Sequence, residues 1–254
     1  MSIEPKVTIR IIRRCNFDCP GCSTFSTLNR KGTMRYADFR KIIDTLNSNG
    51  FRGTLNISGG EPTLHKRLAA MIHYASRNLP EAKIAVFTNG DWIGTRRWRQ
   101  KLRRLAGGGN TRIRFSHDSQ HVHGSILAAG RSLNSSNLIL SERERMAKGK
   151  RFKNACLADG ISFDFAFKGS LSKARRYLRE LGEVPVYLIR FRKEPDRRPK
   201  KLGFFAVDVQ EDCSVLVYAT LGHIPAGQPL GGIETLPSAL EMNRNSLRMR
   251  KDSK

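Results

Sequence analysis

The sequence predicts an α/β fold in which about six β-strands alternate with helices, and two observations lead to this prediction. Short β-branched, apolar segments recur along the chain, and most are followed by a segment whose apolar residues have helical spacing. The chain has 254 residues and 39% apolar content, which is enough to bury a sizeable core. Alternation of this kind predicts parallel strands joined by right-handed crossovers.

The predicted elements follow one another in a regular order. Strands are expected at residues 6–12, 54–58, 83–87, 111–116, 161–167 and 184–191. Helices are expected at about 36–46, 64–75, 95–105 and 170–181, where apolar residues recur three and four apart. Residues 117–155 have a weaker pattern, within which 141–148 favours a helix. The helix at 95–105 carries Arg and Lys on every face except the one formed by Trp98, Leu102 and Leu105.

The pattern changes after residue 191, which predicts a division of the chain into a core and an appendage. Residues 192–201 form a charged, proline-bearing linker. Beyond it, the segments 204–209 and 214–218 favour a β-hairpin, and 236–243 favours a short helix before a frayed basic tail. The predicted organisation is therefore a core at 1–191, a linker at 192–201 and an appendage at 202–254.

Composition and charge narrow the expected environment and partners. No apolar run approaches bilayer length and the first residues have no signal-peptide pattern, so we expect no membrane association and a cytoplasmic location. In a reducing compartment, clustered cysteines indicate metal ligands before disulfides. The formal net charge of +24 favours RNA or another polyanion as a partner, although a generally basic composition would give the same number.

Three cysteines lie within eight residues, directly after the first predicted strand. They are Cys15, Cys19 and Cys22, in the segment CNFDCPGC. Three thiolates are one ligand short of a closed four-ligand site, so a [4Fe–4S] cluster held by them would keep one iron open to a small molecule. Zinc is the competing metal, but no Cys or His follows Cys22 at finger spacing, and the next histidine is His65.

This spacing resembles the CxxxCxxC signature of the radical S-adenosylmethionine (SAM) enzymes. Two later segments are similar to further motifs of that family, namely Ser58-Gly59-Gly60-Glu61-Pro62 to its GGEP motif and Thr88-Asn89-Gly90 to its TNG motif. The stretch FSHDSQH at 115–121 has a looser likeness to a strand-4 motif that contains a ribose-binding serine. Gly21 departs from the family, which often has an aromatic residue there, and Phe17 could supply the apolar cover.

The resemblance implies a fold, cofactors and site residues. The fold would be a partial (βα)6 TIM-like barrel, with a [4Fe–4S] cluster on Cys15, Cys19 and Cys22. SAM would be bound by six residues at successive strand ends: Gly59, Gly60, Glu61, Pro62, Asn89 and Ser116. An external donor of flavodoxin or ferredoxin type would reduce the cluster, and SAM would be cleaved to a 5′-deoxyadenosyl radical that takes hydrogen from a substrate.

Three hypotheses about function remain open at this point. The first is a radical SAM enzyme acting on RNA or a nucleotide-like anion, which the net charge and the arginine-rich helix favour. The second is a radical SAM enzyme that modifies a peptide or protein, because the segment after 202 faintly resembles the appendage of such enzymes. The third is a non-enzymatic, basic metal-binding protein that binds nucleic acid, against which the GGEP and TNG segments argue.

The remaining candidates receive structural interpretations. The histidines His117, His121 and His123 could form a second metal site or donate a proton to substrate, but ordinary core or surface positions suit their spacing. Cys156 and Cys213 are too few for an auxiliary cluster and are expected to be structural. Arg190, late in a predicted strand, could bind a carboxylate or pair inside the barrel.

Overall fold

The computed structural model describes residues 5–22, 24–168, 171–189, 205–212, 215–219 and 228–241. The strands are Lys6–Arg10 (β1), Thr54–Ser58 (β2), Lys83–Thr88 (β3), Thr111–Ser116 (β4), Phe163–Lys168 (β5), Val186–Ile189 (β6), Phe205–Val209 (β7), Val215–Ala219 (β8) and Gln228–Gly231 (β9). The α-helices are Tyr36–Ser48 (α1), Leu68–Asn78 (α2), Trp98–Leu105 (α3), Ser119–Ala128 (α4), Ser135–Ala158 (α5) and Leu171–Tyr177 (α6). Short 3-10 turns occupy Pro62–Leu64, Arg179–Leu181 and Ile233–Thr235.

The strands form one open sheet in the order β6-β5-β4-β3-β2-β1-β7-β8-β9. Every neighbouring pair from β1 to β6 is parallel, as crossover connections require. Because β6 lies at one end of the order and does not pair with β1, the barrel is not closed. The predicted α/β fold with a partial, TIM-like arrangement is therefore confirmed.

The C-terminal strands extend this same sheet. Strand β7 pairs with β1 in parallel, in the register Lys6 opposite Ala206, and β8 returns antiparallel to β7. The linker at 192–201 lies outside the described residues, and so do Arg190 and Cys213. The division into a core at 1–191 and an appendage at 202–254 stays a prediction.

The region 117–155 differs most from the sequence-based expectation. Where a helix at 141–148 is predicted, α5 runs from Ser135 to Ala158, and α4 precedes it. The reason is visible in the residues that α5 buries, since Ser141, Arg145 and Gly149 form the first half of its buried face, before Phe152 and Cys156. Polar and small residues on a buried face leave no hydrophobic period for the sequence to reveal.

The two faces of the sheet have different chemistry. One face packs on the helices through a continuous apolar core that includes Ile9, Ile57 and Phe165. On β4 and β5 the intervening positions include Arg114 and Asp164, and Arg114 donates to Asp164 over 2.7 and 2.9 Å with both side chains buried. The opposite face of the sheet therefore carries a buried ion pair, which is flanked by the Phe87 and Tyr187 rings. No helix among the described residues is long and apolar enough to cross a bilayer.

Candidate functional site

The three cysteines lie in the loop after β1, at the carboxyl end of the parallel strands. Main-chain hydrogen bonds shape this loop: the amide of Cys15 donates to the Thr27 carbonyl over 3.0 Å, and that of Cys22 donates to the Cys19 carbonyl over 3.2 Å. In parallel β/α folds, ligand sites form at this edge of the sheet. We call residues 15–22 the cysteine loop.

The sulfur atoms form a partly enclosed cluster. Cys15 is buried, whereas Cys19 and Cys22 are half-buried. Burial raises the pKa of the Cys15 and Cys19 thiols to about 12, and the charge of neighbouring cysteine sulfurs adds to the rise in both. Such thiols are neutral without a counter-charge, which suits ligands that become thiolates when a metal centre supplies positive charge.

The GGEP segment packs directly against the chain that leads into the cysteine loop. The Gly60 amide donates to the Ile12 carbonyl over 2.6 Å, and the Glu61 amide donates to the Arg14 carbonyl over 3.0 Å. A Cβ atom on Gly59 or Gly60 would collide with those same two main-chain carbonyl oxygens. Both glycines are therefore needed for the close approach of two backbone segments.

Glu61 joins the GGEP segment to the TNG segment. Its carboxylate is buried and accepts hydrogen bonds from the Thr63 amide at 3.1 Å, the Thr88 hydroxyl at 2.7 Å and the Asn89 amide at 2.7 Å. Burial raises the pKa of this carboxyl group, and the hydrogen bonds oppose the rise. The side chain therefore connects two strand ends, and Pro62 begins the short 3-10 turn that follows.

Asn89 connects the TNG segment to the cysteine loop. Its side-chain amide donates to Asn16 Oδ1 over 2.8 Å and lies 3.9 Å from the Cys15 sulfur. Asn16 in turn donates to Asp91 Oδ2 over 3.0 Å. The Phe17 amide also donates to the Cys15 sulfur, over 3.4 Å. Hydrogen bonds to ligand sulfur are a recognised means of orienting and tuning a metal–thiolate centre.

Helix α4 closes the other side of the cysteine loop, a contact that the sequence does not predict. The Asp18 amide donates to the Gly124 carbonyl over 3.1 Å, and Gln120 Nε2 donates to the Pro20 carbonyl. A Cβ atom on Gly124 would overlap the Cys19 sulfur. Gly124 therefore sets how closely α4 can approach the metal-ligand candidate.

Arg145 on α5 is a further site residue that sequence reasoning misses. Its guanidinium is buried and donates to the main-chain carbonyls of Asn89, over 2.9 Å, and Ser116, thereby joining the ends of β3 and β4. It also lies 5.6 Å from the Phe17 ring centroid, and its charge acts on Cys19. No acidic side chain among the described residues forms an ion pair with it. Alternating Glu and Arg at 142–145 is the pattern of an exposed helical face, so the sequence does not distinguish Arg145, which is buried.

The remaining candidates resolve into different roles. Ser116 is buried at the end of β4, on the same face as Arg114, and the structure brings it to the edge where Asn89 lies. His117 is buried among aromatic rings, and burial together with Arg145 lowers its pKa to about 3. His121 packs its Nδ1 2.7 Å from Asp118, the residue that caps α4, while His123 is half-buried on the same helix. Cys156 is buried in the core.

The residues present fit an iron–sulfur cluster better than a single metal ion. Among the described residues, no three His, Cys, Asp or Glu side chains are placed to hold one ion. His65 has both ring nitrogens occupied, by the Met34 carbonyl at 2.9 Å and the Arg67 amide at 3.1 Å. Thiolates of a cluster bind different iron atoms and stand further apart, so the wrapped cysteine loop with its N–H···S contacts suits that larger group.

Comparisons with known proteins agree with this geometry. The family model described as "Radical SAM superfamily" matches residues 9–131, which include the cysteine loop and the GGEP and TNG segments. A SAM-dependent nucleotide dehydratase from Selenomonas ruminantium is 33% identical over 85 residues, covering 34% of this chain and 30% of that protein. The subtilosin biosynthesis protein AlbA from Bacillus subtilis is 34% identical over 83 residues, covering 33% of this chain and 18% of that protein. The chain thus aligns with less than a third of either relative.

Solved structures match over more of the chain and establish the fold. The structure of His-tagged anSMEcpe with bound AdoMet aligns with a TM-score of 0.56 at 15% identity, over 96% of this chain and 79% of that one. BtrN in complex with AdoMet and 2-DOIA aligns with a TM-score of 0.50 at 15% identity, over 99% and 90% of the two chains. At this identity the likeness concerns architecture alone.

Proposed function

We propose that this chain is a radical SAM enzyme that binds a [4Fe–4S] cluster and SAM to abstract hydrogen from an anionic substrate, since the radical SAM family model matches residues 9–131. The match to the family model by itself implies an iron–sulfur cluster and SAM. The proposal adds the cluster type, the ligands Cys15, Cys19 and Cys22, and the substrate class. The observation that carries it is the convergence of the cysteine loop with the GGEP and TNG segments through direct hydrogen bonds.

The proposed roles of the site residues follow from their contacts. When bound, the cluster and SAM supply a 5′-deoxyadenosyl radical, which is the group that removes hydrogen from substrate. Gly59, Gly60 and Pro62 would provide main-chain groups beside the cofactor, since glycine permits close approach. Asn89 would orient the cysteine loop through Asn16, and Ser116 would face the cofactor from the end of β4.

Glu61 receives a different role from the one that the motif resemblance suggests. Its carboxylate oxygens already accept three protein hydrogen bonds, so we propose that the side chain positions the TNG segment. Contact with the cofactor would then come from the main chain of this segment. In this account the protein orients the reacting groups and excludes water, and no side chain is needed as an acid or base for cofactor cleavage.

A nucleotide-like anion or RNA is the substrate class that we favour. The net charge of +24 attracts polyanions, and the nucleotide dehydratase is among the curated relatives. A peptide or protein substrate is the second candidate, since AlbA and a PqqA peptide cyclase are also relatives. The match to a family of enzymes argues against a non-enzymatic nucleic-acid-binding protein.

An external one-electron donor of flavodoxin or ferredoxin type would reduce the cluster, and we propose where it docks. Phe25, three residues after Cys22, is 76% exposed and has a left-handed backbone with φ of 50°, and Leu28 is 44% exposed. Three basic residues near Phe25 and Leu28 along the paired chain segments 12–15 and 27–33 are also exposed, namely Arg14, Arg30 and Lys31. An apolar centre with a basic rim complements an acidic electron carrier.

Anaerobic reconstitution tests the proposed function. The chain is supplied with iron and sulfide, then with reductant and SAM, and the iron content and the 5′-deoxyadenosine formed are measured. We expect Cys19→Ala to lose the bound iron and the formation of 5′-deoxyadenosine. Cys156→Ala, which changes a core cysteine outside the loop, is the matched control and should keep both properties. Intact cluster without any 5′-deoxyadenosine would contradict the proposal.

The docking proposal is tested by changing the reductant. Phe25→Ser should lower turnover about tenfold with a flavodoxin donor, the loss typical of one interface anchor, and leave turnover with dithionite unchanged. An equal effect with both reductants would show that Phe25 supports the site itself and would refute the docking surface.

A further inference from the structure

A cavity of about 270 Å³ lies beside the cysteine loop, between α4 and α5. Asn16 and Phe17 of the loop form one side of it, and Arg131, Ser141 and Arg145 form the other. It is smaller than the roughly 300–1,000 Å³ of pockets that enclose a whole small molecule. Its size therefore suits one group of a larger ligand.

Three residues that line this cavity have polar atoms without a hydrogen-bond partner. The unpartnered atoms are Arg131 Nε, Ser141 Oγ and Arg145 Nε, each buried. The side chains of Ser141 and Arg145 are only 3% and 4% exposed. Leaving a buried donor unsatisfied costs about 1–3 kcal/mol, so three around one cavity indicate that an acceptor belongs there.

The charges around the cavity favour an acceptor that is an anion. Asp91 is neutralised by Lys148, whose Nζ lies 2.8 Å from its Oδ1, and Asn16 donates to its other oxygen over 3.0 Å. Glu144 lines the exposed rim and is the one acidic group that opposes an anion there. The guanidinium groups of Arg131 and Arg145 are then the remaining positive charges of the cavity lining. Arginine pairs well with planar or tetrahedral oxyanions.

We propose that this cavity binds a phosphate group of the substrate, holding it between Arg131, Ser141 and Arg145 next to the cysteine loop. The inference rests on the proposed function and specifies its substrate class as a phosphorylated, nucleotide-like molecule. The remainder of the substrate would extend from the cavity, past Phe17, toward the cofactor. Arg145 keeps its hydrogen bonds to the ends of β3 and β4, so the anion is held in fixed relation to the strand edge.

Binding of inorganic pyrophosphate to the reconstituted protein, measured by calorimetry with and without SAM, tests this site. We expect saturable binding that Ser141→Ala and Arg131→Gln each weaken about tenfold, the loss expected for one hydrogen bond to a charged group. Arg104→Gln is the matched control, because it removes the same charge from an exposed position on α3. Arg145 is left intact, since it joins two strand ends.

Two outcomes would overturn the proposal, and both differ from failure of the proposed function. The first outcome is equal pyrophosphate affinity in the unmodified protein and its Ser141→Ala, Arg131→Gln and Arg104→Gln variants, or no binding to any of them. Either result would show that the cavity is not an anion site. Competition between pyrophosphate and SAM, or an equal loss of SAM affinity in Ser141→Ala, would assign the cavity to the cofactor. Failure of the unmodified chain to cleave SAM would instead refute the radical SAM activity, whatever pyrophosphate does.

Discussion

Replacing Glu61 by alanine tests whether this carboxylate holds the site together. The substitution removes the acceptor of two main-chain amides, those of Thr63 and Asn89, and of the Thr88 hydroxyl. The hydroxyl can turn to another partner, but both amides are left without one. At about 1–3 kcal/mol for each unsatisfied donor, the expected loss of unfolding free energy is about 2–6 kcal/mol.

Urea unfolding of the cluster-free protein measures this loss. Trp92 is a convenient fluorescence probe, because its Nε1 donates to Thr88 over 2.9 Å and so reports on the same network. Glu142→Ala, at an exposed position on α5, is the control and should change stability by less than about 0.5 kcal/mol. A loss below about 1 kcal/mol in Glu61→Ala would refute the view that Glu61 joins the two segments.

The pH dependence of Glu61→Gln gives a second check with a definite sign. Burial raises the pKa of Glu61 in the folded protein above the value of about 4.3 expected when it is unfolded. The folded state then binds this proton more tightly than the unfolded state does. The contribution of protonated Glu61 to the free energy of unfolding is therefore complete below about pH 4.3 and declines as pH rises through the folded pKa. Glutamine cannot titrate, and the stability gap between the native protein and Glu61→Gln should therefore narrow as pH rises.

Three further predictions concern other parts of the molecule. Gly124→Ala should lower iron incorporation by more than half because the new methyl group overlaps the Cys19 sulfur, whereas Gly109→Ala, which meets nothing within 4 Å, should load normally; equal loading would contradict the α4 contact. Asp164→Asn should cost about 3–5 kcal/mol in urea unfolding, since it leaves Arg114 buried without its counter-charge, and a neutral effect would show that water reaches this pair. Retention on RNA should fall linearly in log–log form as salt rises if phosphate contacts bind it, and a flat response would remove RNA as a partner.

The strand ends that matter could be predicted from sequence because their signals are local. Strands β2 and β4 have the predicted bounds, and the cysteine, GGEP and TNG segments follow β1, β2 and β3 in the order that a parallel sheet brings to one edge. A β-branched run bounded by glycine turns is recognisable without knowledge of its neighbours. The three metal-ligand candidates and the chemical family follow from the same short motifs.

Other features had no local signal. The length of α5 was underestimated because its buried face contains Ser141, Arg145 and Gly149, which are ordinary surface residues by composition. The role expected for Glu61 beside the cofactor rests on a motif, while two of its three hydrogen bonds depend on Thr88 and Asn89, which lie 27 and 28 residues further on. The cysteine positions needed no such partner to be recognised.

The sequence by itself determined the α/β alternation and identified the three candidate metal ligands, because periodicity and spacing along the chain encode both. Tertiary structure alone decided what surrounds the cysteine loop: Gly124 against Cys19, Asn89 near Cys15, and Arg145 across the ends of β3 and β4. These contacts join residues that lie 29 to 105 positions apart along the chain, and Asn89 and Cys15, for example, are separated by 74 positions. The physical reason is that a buried polar group is satisfied by whichever partner the packing brings near, and the chain order does not specify that partner.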